Sequence, residues 1–313
     1  MTATFDVVCL GEVLIEVATV EPFGHGVPAT MAVSGDPLNV AAAAAAAGAQ
    51  VGLVAVLPDD ELGQAIAAQV AALGIGTDLL RFRAGQQGVY LTHSDPRGER
   101  QFSYARSGSV GSTLSADDLP IEVVAGAGAV VASGISCAIS MTSRDAVLAA
   151  ARNARRFVYD PNYRPRLTTA VEAARILREL APQCWLATPS APAETSALLD
   201  LDSPSAAARR MRELGVENVA VTCGEAGVQL SGFRSETWVD AVPAPSVVDQ
   251  TGAGDAYVGT LTARLVQGDD PLWAARQAAA AAALVVGGRG GTGQVPTLDQ
   301  TRALLATVGE PAR

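Results

Sequence analysis

The chain of 313 residues contains no lysine, because all 22 of its basic residues are arginines. This absence excludes a Walker-type phosphate-binding lysine, the strand lysine of protein kinases and Schiff-base chemistry. The formal net charge of −10 argues against a general surface for nucleic acids or anionic membranes. Any nucleotide chemistry must therefore use a local site built from helix N-termini, arginine and metal ions.

Cysteine and histidine are scarce as well. The four cysteines are far apart in the sequence and form no CxxC pair: Cys9, Cys137, Cys184 and Cys223. This pattern is typical of a reduced interior rather than of a disulfide framework or a zinc site. The two histidines, His25 and His93, are too few for a histidine-rich metal site, and we expect surface or hydrogen-bonding roles for them.

A long hydrophobic segment is also missing. The longest apolar run, 278–286, is far shorter than the ~20 residues that span a bilayer. Asp6 interrupts the N-terminal segment, which therefore lacks the pattern of a signal peptide. With 49% hydrophobic and 17% charged residues, the composition predicts a sizeable core, and we expect a cytoplasmic protein.

Buried-strand patterns alternate with helical patterns along most of the chain. The apolar runs expected to form strands are 5–10, 51–57, 130–133, 157–159, 185–188 and 219–222. This alternation predicts an α/β fold with parallel strands and crossover helices. Residues 80–107 break the rhythm with short alternating strands, and the turn sequence at 95–98 predicts a hairpin. We expect this hairpin to join strands from residues 11–33 in a small sheet that covers the substrate as a lid.

One stretch, residues 247–257, places a carboxylate in a glycine turn at the start of a helix. Gly252 and Gly254 leave room for a ligand, and helical periodicity follows from residue 256 to 266. The N–H groups at this helix start favour anionic oxygens, yet Asp255 lies among them. An acid in the first turn has an ordinary electrostatic explanation. The alternative is phosphoryl transfer, in which the N–H groups hold phosphate oxygens and Asp255 takes a proton from the attacking hydroxyl.

The sequence Asp-Gln-Thr-Gly-Ala-Gly-Asp-Ala at 249–256 resembles the C-terminal signature of the ribokinase/PfkB family of carbohydrate kinases. Only Gln250 and the following Tyr257 differ from its commonest spelling. The resemblance implies a doubly wound, mostly parallel α/β sheet flanked by helices, in a single ribokinase-like domain over 1–313. The lid would come from parts of 11–33 and 80–107. The resemblance also implies a homodimer or higher homo-oligomer.

The same resemblance assigns roles to the residues of this stretch. Asp255 would be the catalytic base, and the backbone of Gly252, Ala253 and Gly254 would be the anion hole for the γ-phosphate. The substrates implied are ATP and a small sugar or sugar acid. Mg²⁺ would be bound mainly by ATP oxygens and water.

An early segment resembles the turn with which the family binds sugar hydroxyls. Gly35, Asp36 and Asn39 match this turn and the helix that follows it. The residues alone also allow an ordinary interpretation, because Asp36-Pro37 is a good helix N-cap followed by proline at the first helical position.

The segment 104–114 resembles one branch of the family, the 2-keto-3-deoxygluconate kinases, although Val110 replaces an alanine. By this resemblance Tyr90, Tyr104, Arg106 and Arg164 would contact the acceptor. Arginine suits an acceptor that carries a carboxylate, because it pairs with this group through two hydrogen bonds. The alternative for Arg106 is a lid-edge arginine with a solvent-exposed head.

Two loops after buried strands are candidates for nucleotide binding. The Asp-x-Asn-x-Arg motif at 160–164 follows a strand, and 222–227 resembles the family's Thr-x-Gly-x-x-Gly loop. The glycines of 222–227 suit a tight hairpin turn equally well. Arg166 is expected to be a surface charge. The residues expected to bind the nucleotide are Asn162, Arg164, Thr222, Gly224, Gly227 and Gly254.

Several positions depart from the family's pattern. Ser190 replaces an asparagine, the acid Glu194 associated with magnesium and phosphate comes one residue late, and Ala279 replaces an asparagine near the adenine. The GxGxxG spelling at 288–293 follows a helix and precedes proline, which is the wrong context for a dinucleotide fold. The family has a monovalent-cation loop near here, for which Asp249 is the plausible charged partner of K⁺.

The predicted reaction transfers a phosphoryl group from ATP to a primary hydroxyl, with 2-keto-3-deoxygluconate as the preferred acceptor. The alternative within the class is a fructokinase or ribokinase that acts on a neutral sugar. An alternative of another class is a non-catalytic sugar-binding regulator on a kinase fold. A NAD-dependent reductase is excluded, because residues 10–13 lack the glycine-rich turn that it needs after the first strand.

Overall fold

The structure is a computed structural model that describes residues 4–94, 100–233 and 235–308. The strands, in chain order, are β1 Val7–Leu10, β2 Leu14–Thr19, β3 Thr30–Ser34, β4 Val51–Val54, β5 Val56–Pro58, β6 Arg81–Arg83, β7 Val89–Ser94, β8 Arg100–Ala105, β9 Ala129–Ser133, β10 Phe157–Asp160, β11 Cys184–Ala187, β12 Asn218–Thr222, β13 Gly227–Ser231 and β14 Thr237–Asp240. The helices are α1 Asp36–Ala46, α2 Glu61–Ala72, α3 Ile121–Gly126, α4 Gly134–Ile139, α5 Met141–Asn153, α6 Ala170–Leu180, α7 Ala193–Leu199, α8 Pro204–Glu213, α9 Ala253–Val266, α10 Pro271–Val285 and α11 Leu298–Val308.

The main sheet has eight strands in the order β14-β13-β12-β11-β10-β9-β1-β4. All neighbours from β12 to β4 are parallel, whereas β13 and β14 are antiparallel at one edge. Short apolar runs such as β1 and β9 are buried along their whole length, as expected for strands covered by helices on both faces. The prediction of a mostly parallel α/β sheet is therefore confirmed.

The chain moves from β1 to β4 on one side of the sheet and reaches β9 on the other side of β1. Such a change of direction opens a crevice at the carboxyl ends of the strands, where α/β sheets bind ligands. The helix starts and loops that follow β1, β9 and β10 all open toward this crevice.

A separate sheet has the order β3-β2-β7-β8. Strands β2 and β7 are parallel, and each has an antiparallel outer neighbour. It is built from the predicted parts of 11–33 and 80–107, so the expected small sheet is confirmed. The predicted turn at 95–98 lies outside the described residues.

The strand predicted over 51–57 is wrong in one respect, because it is two strands. β4 pairs with β1 in the main sheet, whereas β5 pairs with β6 in a short parallel pair of its own. The chain changes partners at Ala55, a buried residue between two runs of the same apolar character. A continuous hydrophobic pattern cannot show such a change.

Helix α9 packs between the alanine-rich helices α1 and α10. A Cβ at Gly259 would lie 2.2 Å from the carbonyl oxygen of Val40, so glycine permits this close approach of α9 to α1. The helix begins at Ala253, earlier than its apolar periodicity indicates. Among the described helices, none has the length and apolar character needed to cross a membrane.

Candidate active site

Two clefts meet at the carboxyl ends of the parallel strands. The first, of about 690 Å³, lies between the main sheet and the four-stranded sheet, and we call it the acceptor cleft. The second, of about 730 Å³, lies between the β12–β13 hairpin and helices α9 and α10, and we call it the nucleotide cleft. Their common wall is formed by Ser190, Thr222, Gln250 and Gly254.

The start of α9 lies at this common wall. Gly252 is the N-cap residue with a φ of 82°, a left-handed conformation that favours glycine. A Cβ at Gly254 would have no neighbour within 4 Å, so this backbone is open to a ligand. The N–H of Ala253 instead donates to the carbonyl of Gln250 at 3.3 Å and closes the turn.

Asp255 lines the acceptor cleft from the first turn of α9. Desolvation and the nearby Asp36 carboxylate raise the pKa of Asp255 to about 7, against a hydrogen bond from Asn39 and the charge of Arg164. In this hydrogen bond, Asn39 Nδ2 donates to Asp255 Oδ2 at 2.7 Å. A carboxyl with this pKa suits a group that must accept a proton near neutral pH.

The turn before α1 brings Gly35, Asp36 and Asn39 to the same cleft, as the sequence predicts. Gly35 has a φ of 119°, and its Cβ would lie 2.6 Å from the Glu12 carbonyl, so only glycine fits. The interpretation of Asp36 as a helix N-cap is wrong, because Gly35 occupies that position without a side-chain cap. The Asp36 carboxylate accepts a hydrogen bond from the Ser133 hydroxyl instead. Burial raises its pKa.

Aromatic side chains of the four-stranded sheet form one wall of the acceptor cleft. The ring of Tyr104 lies 6.0 Å from that of Tyr90 and 6.2 Å from that of Phe102. The Tyr90 hydroxyl donates to Glu16 Oε2 at 2.5 Å and lies 3.0 Å from Ser34 Oγ. Phe102 was not among the predicted residues, although it lies in the hairpin strand that the sequence identified.

Arg106 also lines the acceptor cleft. Its side chain is only 9% exposed and forms an ion pair with Glu12, so the alternative of an exposed lid-edge arginine is wrong. Glu12 also accepts a hydrogen bond from the Ser109 hydroxyl, and burial raises its pKa. Within the described part of the chain, the buried Nε of Arg106 has no hydrogen-bond partner. Sequence reasoning missed Glu12, whose place directly after the first strand was the available signal.

The loop after β10 carries the two other arginines of the acceptor cleft. Asn162 and Arg164 line this cleft rather than the nucleotide cleft. Arg164 is exposed and donates to the carbonyl of Tyr163 at 3.3 Å. Arg166, expected to be a surface charge, is exposed but also donates to the carbonyl of Phe102 at 2.7 Å. It therefore links the loop to strand β8.

Two neighbouring carboxyls lie deeper in the acceptor cleft. Glu194 is buried and accepts hydrogen bonds from the N–H of Tyr163 at 2.6 Å and of Ser190 at 2.8 Å. Burial raises the pKa of Asp160, and the charge of Glu194 raises it further. Such a pair favours a nearby cation, and Mg²⁺ characteristically uses one or two carboxylates together with phosphate oxygens. The described residues contain no group of three or more acids, histidines or cysteines that could hold a metal.

The nucleotide cleft has a polar entrance and an apolar end. Thr222, Gly224 and Gly227 line its entrance on the β12–β13 hairpin, so this loop is both the hairpin turn and a cleft wall. A Cβ at Gly227 would lie 2.3 Å from the Val239 carbonyl. Ala279 lines the far end among other apolar side chains, where the family often has asparagine.

Asp249 joins the helix start to the glycine-rich loop 287–293. One oxygen accepts hydrogen bonds from the N–H and hydroxyl of Thr251 at 3.0 and 2.8 Å. The other oxygen accepts from the N–H of Gly290 at 3.0 Å. The loop thus packs against the site rather than opening a dinucleotide-binding helix, and K⁺ binding by Asp249 stays a prediction.

The two clefts meet at an open helix start that carries a carboxyl with a raised pKa. This arrangement defines a phosphotransferase. The family model of the pfkB family carbohydrate kinases matches residues 4–298. The chain belongs to this family and is an ATP-dependent sugar kinase. The non-catalytic regulator considered from the sequence is accordingly set aside.

Individual relatives differ in their acceptors. The chain is 33% identical over 309 residues to a 2-dehydro-3-deoxygluconokinase of Thermoproteus tenax, covering 97% of this chain and 95% of the relative. It is 32% identical over 273 residues to fructokinase-1 of Zea mays, covering 83% of each. The structure of a Xylella fastidiosa fructokinase with bound ATP superposes with a TM-score of 0.86 at 23% identity, covering 97% of this chain and 99% of that chain.

Proposed function

We propose that the acceptor is 2-keto-3-deoxygluconate, whose primary hydroxyl receives the γ-phosphoryl group of ATP. The observation that carries this proposal is that two guanidinium groups, those of Arg106 and Arg164, line the same cleft as Asp255. An acceptor carboxylate would bind them through charge-assisted hydrogen bonds that a neutral sugar cannot form. The name of the Thermoproteus tenax relative supports the same class of acceptor.

In the proposed mechanism, Gly35, Asp36 and Asn39 orient the acceptor hydroxyls, and Tyr90 and Tyr104 pack against its carbon chain. Asp255 accepts the proton of the attacking hydroxyl as the new bond to phosphorus forms. Asn39 holds the Asp255 carboxylate by its hydrogen bond of 2.7 Å. Because the pKa of Asp255 is about 7, the carboxyl is partly ionised at neutral pH and can take this proton.

The start of α9 would stabilise the phosphoryl group in transit. Gly254 lies in the wall between the two clefts, where a group passing from nucleotide to acceptor must cross. The backbone N–H groups of Gly252 and Gly254 would bind its oxygens with little reorganisation, whereas that of Ala253 already closes the turn. Thr222, Gly224 and Gly227 would hold the nucleotide. Mg²⁺ would neutralise phosphate charge, and Asp160 and Glu194 would accept hydrogen bonds from its water ligands.

One observation favours a neutral acceptor instead. Glu12 forms an ion pair with Arg106, and this pairing offsets the positive charge that would attract an acid. A fructokinase or ribokinase needs no cation at this place. The two candidates therefore differ in whether Arg106 and Arg164 contribute to acceptor binding.

The experiment is a coupled ADP-release assay with ATP, Mg²⁺ and a panel of 2-keto-3-deoxygluconate, gluconate, fructose, ribose and adenosine. We expect turnover with the keto-deoxy acid. Arg164→Gln should raise the KM for this acid about ten- to a hundredfold, because a charged hydrogen bond is lost. Arg210→Gln, at an exposed ion pair on α8, is the matched control and should change nothing.

A preference for fructose or ribose, with no effect of Arg164→Gln, would contradict the acid acceptor and leave the kinase intact. The role of Asp255 is tested separately. Asp255→Asn should abolish phosphorylation while calorimetry still detects acceptor binding. Retained turnover in this variant would show that Asp255 is not the base.

A further inference from the structure

The glycine-rich loop 287–293 meets three parts of the site at two residues, Gly290 and Gly291. A Cβ at Gly252 would lie 3.0 Å from the Gly291 carbonyl oxygen, so the loop touches the start of α9. A Cβ at Gly291 would lie 2.4 Å from Nδ2 and 2.5 Å from Oδ1 of Asn39. The neighbouring Gly290 lies against the Glu16 carboxylate, because a Cβ there would lie 2.6 Å from Oε1 and 2.7 Å from Oε2. The loop is therefore in contact with α9, with α1 and with strand β2.

The Asn39 amide is confined between this loop and the catalytic carboxyl. On one side it lies against Gly291, where a Cβ would force the amide to move. On the other side Nδ2 donates to Asp255 Oδ2 at 2.7 Å. Oδ1 lies 3.5 Å from the Ser34 hydroxyl, which favours the orientation with Nδ2 toward Asp255. The loop thus limits where the amide can be placed.

Glu16 fixes the loop in this place. Its side chain is buried in β2, with the residue 2% exposed, and a Cβ at Gly290 would lie 2.6 Å from Oε1. The Glu16 carboxylate also accepts a hydrogen bond of 2.5 Å from the Tyr90 hydroxyl. A buried carboxyl is stable only with such partners. The Thr292 hydroxyl also donates to the carbonyl of Val33 on β3 at 2.7 Å, so Glu16 is one of two side chains that join the loop to the four-stranded sheet.

We propose that Gly291 and Glu16 are positioning residues that hold the Asn39 amide against Asp255. Glu16 packs against Gly290 and helps to hold the loop, and the missing Cβ of Gly291 makes room for Asn39. Neither residue lines the acceptor cleft, and both act on Asp255 through Asn39. This inference rests on the proposed role of Asp255 as the base.

The direct test is Gly291→Ala, because the φ of Gly291 lies outside the left-handed region and the backbone accepts alanine. The new methyl group must displace Asn39 from Asp255. We expect kcat to fall about tenfold or more, and the KM for ATP to stay within about twofold. The acid limb of the pH profile of kcat/KM should move to higher pH, since Asp255 loses a donor that lowers its pKa. The charged groups facing Asp255, namely Asp36, Asp160 and Arg164, are unchanged.

Two further variants separate positioning from folding. Gly126→Ala is the control, because a Cβ there has no neighbour within 4 Å, and it should leave kcat and the pH profile unchanged. Glu16→Gln keeps an acceptor oxygen of the same size and should retain most activity. Glu16→Ala removes the carboxylate that packs against Gly290 and should move the acid limb in the same direction as Gly291→Ala.

A double variant decides whether Gly291 acts through Asn39. Asn39→Ala combined with Gly291→Ala should be no slower than Asn39→Ala alone, because both changes remove one interaction. The inference would be overturned if the double variant lost as much kcat as the product of the two single losses. A Gly291→Ala enzyme with wild-type kcat and pH profile would overturn it as well. An active Asp255→Asn enzyme would instead contradict the role of Asp255 as the base. The two hypotheses are therefore tested by different variants.

Discussion

The pKa of Asp255 is set close to neutral pH by neighbours that act in opposite directions. Desolvation and the Asp36 carboxylate raise its pKa to about 7, whereas Asn39 and Arg164 lower it. As the proposed base, Asp255 must be ionised to accept a proton, so kcat/KM should rise with pH and level off above about 7. The balance depends on residues of α1 and of the loop after β10, both far from α9 in the sequence.

Substitutions of two of these neighbours should move the acid limb of the pH profile of kcat/KM in opposite directions. Asp36→Asn removes a negative charge, so the pKa of Asp255 should fall and the limb should move to lower pH. Asn39→Ala removes a donor, so the limb should move to higher pH. The measurement is kcat/KM between about pH 5.5 and 9, a range in which a group near pH 7 titrates fully. A shift in the same direction for both variants would contradict this account.

At the scale of elements, the sequence predicted the strands and helices that depend on local residue patterns. The glycine turn and periodicity of 247–266 placed Asp255 at a helix start, and buried apolar runs placed the parallel strands. The contacts of Asp36 with Ser133 and of Arg106 with Glu12 join residues 97 and 94 positions apart. Side-chain contacts at such separations depend on how elements pack, which no spacing along the chain reveals.

The Arg106–Glu12 pair should be important for the stability of the four-stranded sheet. Its side chains are 9% and 1% exposed, whereas those of the Arg210–Glu213 pair on α8 are 49% and 65% exposed. Glu12→Gln leaves a buried guanidinium without its counter-charge and should lower the free energy of unfolding by about 3 kcal/mol. Glu213→Gln should cost less than about 1 kcal/mol. Denaturant unfolding of both variants measures the difference, and equal costs would contradict the burial argument.

For the whole molecule, the buried carboxyls set an unusual dependence of stability on pH. The carboxyls whose pKa values are raised by burial are Glu12, Glu16, Asp36, Asp160, Glu194 and Asp255. The folded protein therefore binds more protons than the unfolded chain above the ordinary carboxyl pKa of about 4. Its free energy of unfolding should fall as the pH rises through the raised values, which reach about 7 at Asp255.

The ligand-free protein should accordingly melt at a higher temperature at pH 6 than at pH 8. The carboxyl of Asp255 alone should contribute about 1 kcal/mol to this difference, or a Tm shift of about 2 °C. Asp255→Asn should reduce the shift, since it removes the titrating group. Asp269 has the opposite effect, because hydrogen bonds from Arg264 lower its pKa. Its contribution to the free energy of unfolding is lost only as the pH falls into stronger acid. Calorimetry at the two pH values tests the sign, and a higher Tm at pH 8 would contradict it.

The wall that the two clefts share has a consequence for inhibition. Ser190, Thr222, Gln250 and Gly254 line both clefts, so the two clefts adjoin at these residues. A single molecule in which an acceptor mimic is joined to adenosine through a phosphate chain could occupy both clefts at once. Its second half would bind at an effective concentration set by the length of the chain, so such bisubstrate compounds should exceed the affinity of either half alone. The best chain length would then measure the path of the phosphoryl group across Gly254.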